Sequence, residues 1–237
     1  PTYNEKENIG NIIPYTLNLS DRLEILIIED GSPDGTADIV KGLMAQYPGR
    51  IHIIERSGKL GLGTAYITGF KWALENNYQY IFEMDADFSH PPEKLLELLD
   101  ACENKGAYMS VGSRYVKNGG VVNWPFNRLF LSLFASKYVR LVTGMRIKDT
   151  TAGFVCYRNE TLKRIDFDKI KFVGYAFQIE MKFAVWLSEV KVIEVPIIFK
   201  DREAGTSKMN GSIIKEAMLG VLQMKLQAFK NKQNYVA

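Results

Sequence analysis

Apolar and polar positions follow two periods along the first half of the chain. Short runs rich in β-branched and aromatic residues, at 23–28, 51–55, 80–84 and 108–112, read as buried strands. Between them, apolar residues recur at helical spacing over 36–46, 63–75 and 93–104. Strands that alternate with helices of this length predict an α/β fold whose central sheet is mostly parallel and covered on both faces. In the second half the spacing predicts a helix over 123–144, with Phe126, Phe130, Leu133, Phe134, Tyr138 and Leu141 on a broad apolar face and Arg128, Lys137 and Arg140 interspersed. A strand at 154–157, a helix at 175–188 and a strand at 190–199 come next. An amphipathic helix over 212–232 closes the pattern, with Lys215, Lys225, Lys230 and Lys232 around its apolar residues. No internal repeat and no linker interrupts the series, so one domain is expected.

Composition narrows the picture further. A chain of 237 residues, 46% hydrophobic and 24% charged, excludes a disordered chain or a coiled coil and suffices for one large core. The net charge of +3 is too small to suggest a nucleic-acid partner, although basic residues gather between Arg114 and Lys148. Cys102 and Cys156 form no CxxC pair and read as core residues, which fits a reducing compartment. No apolar run reaches the roughly 18 residues of a spanning helix, and no signal peptide opens the chain. Pro1-Thr2-Tyr3-Asn4-Glu5 reads as the loop after a strand, so a strand before Pro1 is expected.

In a parallel sheet of this kind, ligands bind outside the carboxyl ends of the strands. The residues there are Asp30 and Asp34, Asp85 and Asp87, and Arg114, so carboxylates and an arginine should converge on one rim. Asp85 and Asp87, two residues apart after an apolar strand, can jointly face a hard cation such as Mg²⁺ or Mn²⁺ that also holds phosphates; an isolated pair of this kind is more often a solvated loop. Asp30 and Asp34 lie in a Ser-Pro-Asp-Gly-Thr stretch that signals a turn and a helix start, or else accept hydrogen bonds from a base or ribose. Residues 58–64 are glycine-rich but lack the order of a P-loop, and Tyr66 stands where a dinucleotide fingerprint needs its third glycine. A tight, close-packing turn is the remaining reading.

Seven motifs in this order resemble glycosyltransferase family 2. They are residues 1–5, the Glu29–Thr36 stretch, Gly61-Leu62-Gly63, Met84-Asp85-Ala86-Asp87-Phe88-Ser89-His90-Pro91-Pro92, Gly112-Ser113-Arg114-Tyr115, Asp149-Thr150-Thr151-Ala152-Gly153-Phe154 and Arg202-Glu203-Ala204-Gly205-Thr206-Ser207-Lys208. Within that family the branch resembled is the dolichyl-phosphate (polyprenol monophosphate) β-mannosyltransferases. The resemblance implies a GT-A fold, which is a single Rossmann-like domain, a GDP-mannose donor, a polyprenyl phosphate acceptor and a divalent metal. It implies that Pro1, Tyr3, Glu5, Ile28 and Asp30 line the nucleotide pocket. Asp85, Ala86 and Asp87 would meet the metal and diphosphate, with Ser89 a poorer metal ligand beside them. Arg202 and Lys208 would lie on a loop that closes over the donor, and Asp149 would buttress the site. Residues 1–120 would then form the nucleotide-sugar half, 121–210 the acceptor half, and 211–237 an amphipathic C-terminal helix.

The acceptor side also has a physical argument. Arg128 and Ser132 are four apart on a predicted helix, hence on one face, and with Arg114 they can bind a phosphate monoester. The same three positions match the acceptor-phosphate residues of the family branch. Such an acceptor is already ionised and needs no strong general base, so catalysis reduces to positioning and charge stabilisation, carried by Asp87, Arg114, Arg128 and Arg202. Glu180 is either a plain helix-face residue or an orienter of the acceptor, and His52 and His90 are too far apart in pattern for a metal pair. A lipid acceptor implies peripheral work on the cytosolic face of a membrane, through the helix at 123–144 or the C-terminal helix, and is compatible with a small membrane-anchoring subunit. The rival readings are the same reaction with UDP-glucose or another donor, transfer to a sugar hydroxyl, and a non-catalytic nucleotide- or membrane-binding module. A processive polysaccharide synthase is disfavoured, since the QxxRW motif is missing.

Overall fold

The strand expected first forms as β1 (Ile25–Glu29), and its apolar run pairs in parallel register with β2 (Ile51–Glu55), Ile25 opposite Ile51 and Glu29 opposite Glu55. The structure is a computed structural model that describes residues 1–174, 176–201, 211–230 and 235. Helix α1 (Lys6–Leu17), which the sequence reading leaves without an element, buries Ile9, Ile12, Ile13, Thr16 and Leu17 at helical spacing even though Pro14 sits inside it. That face packs with Ile27 of β1, Ile51 of β2, and Val40 and Leu43 of α2 (Thr36–Gln46).

The central sheet runs in the order β3 (Tyr80–Glu83), β6 (Val155–Arg158), β4 (Met109–Ser113), β7 (Val192–Pro196). The expectation of a mostly parallel sheet holds for β1 with β2 and for β4 with β7. It fails at β6, which lies antiparallel between β3 and β4. The strand expected over 190–199 is two strands. The ladder with β4 closes where Ile197 N–H donates to the Ser113 carbonyl at 3.1 Å, and the Ile197 carbonyl then accepts from Gly120 N–H, so that β8 (Ile198–Lys200) pairs with β5 (Gly120–Val122).

Helix α3 (Leu62–Glu75), α4 (Leu95–Glu103, after a 3₁₀ turn at Pro92–Lys94) and α7 (Ala176–Leu187) cover the sheets, and α6 (Asn159–Leu162) is a single turn. Helix α5 (Phe126–Thr143) starts three residues later than expected, because Asn123 takes a left-handed φ of 63° and Pro125 stands at the cap. Helix α8 (Gly211–Lys230) packs on α5 through Tyr138, whose hydroxyl donates to the Met218 carbonyl, and Lys225, which donates to the Thr143 carbonyl. Cys102 and Cys156 are fully buried free thiols, as expected. An apolar cavity of about 190 Å³ is lined by residues of both β1 and β3, with Pro1, Asp85 and Ala86 also on its wall.

Candidate active site

Residues 1–6 run along the carboxyl end of β1. Thr2 N–H donates to the Ile28 carbonyl at 2.8 Å and Asp30 N–H to the Thr2 carbonyl at 3.1 Å, which brings Pro1, Tyr3, Ile28 and Asp30 onto one edge. The turn at 32–36 grips residues 4–6: Asn4 N–H donates to Ser32 Oγ, Glu5 N–H to Thr36 Oγ1 and Lys6 N–H to Asp34 Oδ2. Asp34 also accepts from the Thr36 amide and hydroxyl. Burial raises its pKa, but these hydrogen bonds outweigh burial and hold the carboxyl below its usual range. Of the two sequence alternatives, Asp34 therefore takes the structural one.

Asp30 is buried and held by Arg56, whose Nε and Nη2 each reach a carboxylate oxygen at 2.7 Å. Arg56 also donates to Thr64 Oγ1 at 2.8 Å, so this pair ties the glycine-rich turn to β1. The turn is close-packed as expected. A Cβ on Gly63 would lie 2.6 Å from the Phe172 carbonyl oxygen, and Gly61 has a φ of 102°. Sequence reasoning missed Arg56, although it directly follows β2 on the same rim. It also missed Lys59, whose ammonium lies 5.1 Å from the centroid of the Tyr3 ring.

The acidic loop follows β3. The Asp85 side chain is 43% exposed and Asp87 is buried, with Asp87 Oδ1 accepting from Ser89 N–H at 3.0 Å. Between them and Ser89, Phe88 adopts a φ of 59°, a left-handed conformation costly for a bulky residue and characteristic of functional loops. His90 lies beneath, its Nδ1 accepting from the Asp85 amide at 3.2 Å and its ring stacked on Phe154. Burial lowers its pKa, against the pull of Asp85 and Asp87. Among the described residues no cluster of three or more His, Cys, Asp or Glu could hold a metal. Two carboxylates at a strand end still suit a hard cation such as Mg²⁺ or Mn²⁺, which Asp85 and Asp87 would hold and which would supply charge to neutralise phosphate. Ser89 is buried, and its carbonyl accepts from Lys200 N–H at 3.2 Å.

On the other side of the rim Arg114, after β4, is locked by Asp149. Arg114 Nε and Nη2 donate to its two oxygens at 2.7 and 2.6 Å, and Nη2 also donates to Thr151 Oγ1 at 2.8 Å. Asp149 is fully buried; burial raises its pKa, and the Arg114 guanidinium and its hydrogen bonds more than reverse this. The buttressing expected of Asp149 is thus an ion pair as well as a backbone contact. Tyr115 Oη donates to Ser132 Oγ at 2.6 Å, which fixes Ser132 on α5 beside the arginine loop. Arg128, one turn earlier, lies with its guanidinium 4.1 Å from the Trp124 ring centroid and donates through Nη1 to both oxygens of Asp201, at 2.9 and 2.8 Å. Arg114 lies 5.5 Å from the same ring, so Arg114, Arg128 and Ser132 do gather. Trp124 and Asp201 went unseen in the sequence: Trp124 fell within the helix expected over 123–144 but precedes the observed helix, and Asp201 follows β8 with no periodic signal. Arg202 and Lys208 lie outside the described residues.

Glu180 grips a loop: its Oε2 accepts from the Lys171 and Phe172 amides at 2.8 and 2.9 Å. Burial raises its pKa. Behind the acidic loop, fully buried Lys182 donates to the Ala152 carbonyl and to Gln178. Burial lowers Lys182 to about 8 and raises nearby Glu83 to about 7. His52 is held by Glu24, away from His90.

Helix α5 turns its apolar face outward. Phe126 is 81% exposed and Leu141 84%, with Phe130, Leu133 and Phe134 also exposed, while Ser136, Val139 and Thr143 are buried. On α8, Leu219, Leu222 and Leu226 are exposed at helical spacing. Contiguous exposed apolar residues of this kind mark an interaction surface. Among the described residues no helix is long and apolar enough to cross a membrane.

Residues 1–170 match the family model for glycosyl transferase family 2. The chain is 46% identical over 223 residues to the polyprenol monophosphomannose synthase of Mycolicibacterium smegmatis, covering 94% of this chain and 84% of that protein. It is 42% identical over 228 residues to the undecaprenyl-phosphate mannosyltransferase of Micrococcus luteus, covering 96% of this chain and 93% of that protein. The fold is also similar to the crystal structure of glucosyl-3-phosphoglycerate synthase from Mycobacterium tuberculosis in complex with Mn²⁺, UDP and glucosyl-3-phosphoglycerate, with a TM-score of 0.65, 15% identity, and coverage of 95% of this chain and 77% of that chain.

Proposed function

The chain belongs to glycosyltransferase family 2, and from that premise we propose that it transfers mannose from GDP-mannose to a polyprenyl phosphate, giving a polyprenyl β-mannosyl phosphate. The observation that carries the acceptor is the two-sidedness of α5. Its inner side holds Arg128 and Ser132 beside Arg114, and its outer side exposes a run of phenylalanines and leucines. A phosphate head and a prenyl tail require those two surfaces next to each other. The relatives' names, which specify a mannosyl group and a polyprenyl phosphate, support the same reading.

In this reading residues 1–120 hold the nucleotide sugar, residues 121–210 the acceptor, and residues 211–237 complete the membrane-facing side. Pro1, Tyr3, Glu5, Ile28 and Asp30 frame the nucleotide, with Asp30 acting through the Arg56 pair that shapes the pocket wall. Asp85 and Asp87 would hold Mg²⁺ or Mn²⁺ with the diphosphate alongside Ala86, and Ser89 would act by bracing Asp87 through its amide. When bound, the cation neutralises charge that develops on the departing diphosphate. Arg114, Arg128 and Ser132 aim an acceptor oxygen at the anomeric carbon; that oxygen forms the new bond as the bond to the GDP oxygen breaks, and in-line attack inverts the α-linkage to β. The acceptor phosphate is largely a dianion near neutral pH, so no side chain need remove a proton. Arg202 and Lys208 are proposed to contact the leaving group.

The test is a radiolabel transfer assay with Mn²⁺ and a short polyprenyl phosphate, with GDP-mannose and UDP-glucose in parallel tubes. Label is expected in the organic phase from GDP-mannose alone. Label from UDP-glucose alone would keep the acceptor and change the sugar, and binding of nucleotide without turnover would point to a silent module.

The outward face of α5 would seat the enzyme on the cytosolic surface of a membrane, with or without a small anchoring subunit. Replacing Phe130 and Phe134 together by serine removes two half-exposed rings from that face, each worth roughly 1–2 kcal/mol when buried in lipid. Sedimentation with vesicles containing phosphatidylglycerol is expected to show binding at least about tenfold weaker. Unchanged sedimentation would move the membrane contact elsewhere.

A further inference from the structure

The acceptor site carries two arginines, and each already has a carboxylate. The two pairs differ in one respect that matters for a ligand. Asp149 is completely buried, accepts the Arg114 amide as well as its guanidinium, and has its own amide held by Glu194, so it cannot leave. Asp201 has 37% of its side chain exposed and pairs with Arg128 where that guanidinium lies over the Trp124 ring and is 30% exposed. Arg114 cannot gain a phosphate by losing Asp149. A phosphate that is to pair with Arg128 must compete with Asp201.

We propose that Asp201 is a displaceable counter-ion of the acceptor site, competing with the lipid phosphate for Arg128 and so loosening the grip on acceptor and product alike. The inference rests on the acceptor reading above. Its chemical logic is a matter of charge. With Asp201 in place the Arg128 guanidinium is neutralised and positioned over Trp124 before any ligand arrives. The incoming phosphate monoester carries about −1.5 to −2 charges near pH 7, enough to take the arginine from a half-exposed carboxylate. Mannosylation turns that head group into a phosphodiester with a single charge. The product therefore holds Arg128 less strongly, and the returning carboxylate helps to expel it. A site with two unpaired arginines would bind both lipids tightly and release the product slowly.

The experiment is equilibrium binding of a short polyprenyl phosphate, and of its mannosyl phosphodiester, in detergent micelles. The full chain is compared as wild type, Asp201→Asn, Arg128→Ala and the double variant. Asp201→Asn is expected to tighten both lipids about fivefold, the size of one half-exposed ion pair. In the Arg128→Ala background the same change is expected to do nothing, because the competition has no object. A second readout is product inhibition of transfer, which should strengthen in Asp201→Asn. Weaker binding in Asp201→Asn would mean that the carboxylate only holds Arg128 in place, and tightening that persists without Arg128 would mean diffuse repulsion; either overturns the proposal. Wild-type protein that binds polyprenyl phosphate no better than neutral polyprenol would overturn the acceptor reading and this inference with it, and that outcome is separable from the others because it involves no variant of Asp201.

Discussion

Asp87→Ala is expected to cut mannosyl transfer by at least about a thousandfold, a loss of roughly 4 kcal/mol of transition-state stabilisation. Asp87 is the buried member of the acidic pair, at the carboxyl end of β3, and its position is set by the Ser89 amide and by the left-handed turn at Phe88. Alanine removes the carboxylate and leaves the buried Ser89 amide without that acceptor, a cost of about 1–3 kcal/mol that the fold should survive. Steady-state transfer with Mn²⁺ checks the activity, and circular dichroism checks the fold. Substantial turnover by a folded variant would remove the metal from Asp87. Asp85→Ala should lose less, because its more exposed side chain is more easily replaced by water.

The largest effect on stability is expected from Asp149→Asn. Arg114 would keep its buried charge, with its side chain only 9% exposed, and lose the carboxylate that neutralises it. Breaking a buried pair in this way costs about 3–5 kcal/mol. A lower midpoint of urea unfolding at neutral pH, with an unchanged slope, is the expected readout. The pH dependence has a definite sign. The folded-state pKa of Asp149 is depressed, so its contribution is fully present above an unfolded carboxyl pKa of about 3.9 and fades as pH falls through the lower folded value. The gap between variant and wild type should therefore be constant from pH 5 to pH 7, as about one unit above that pKa suffices, and should narrow below about pH 4. A gap that grew in acid would contradict the assignment of Asp149 as the charged partner.

Much of the fold was legible along the chain because strands and helices carry different periods. The runs at 25–29, 51–55, 80–83 and 109–113 became strands, and the loops after them hold the candidate residues. The elements that escaped were short ones with little pattern of their own. Strand β5 has three residues and exists because β8 pairs with it; α6 is one turn; β6 enters the sheet antiparallel, and nothing in its four residues states a direction. Helix α1 had the right spacing, but Pro14 and the turn-rich start obscured it. The outward direction of the α5 aromatics also needed the fold, since an apolar stripe looks the same whether it meets a core or faces away from one.

The sequence by itself determined the order of the elements, the rim on which carboxylates and arginines meet, and the family to which those motifs belong. Only the tertiary structure decided how the charges on that rim are paired: Asp30 with Arg56, Arg114 with Asp149, and Arg128 with Asp201, partners 26, 35 and 73 residues apart. The reason is physical. Periodicity reports which side of its own element a residue occupies, a property of its near neighbours in the chain. An ion pair depends on distances of about 3 Å between groups that only the packing of separate elements brings together.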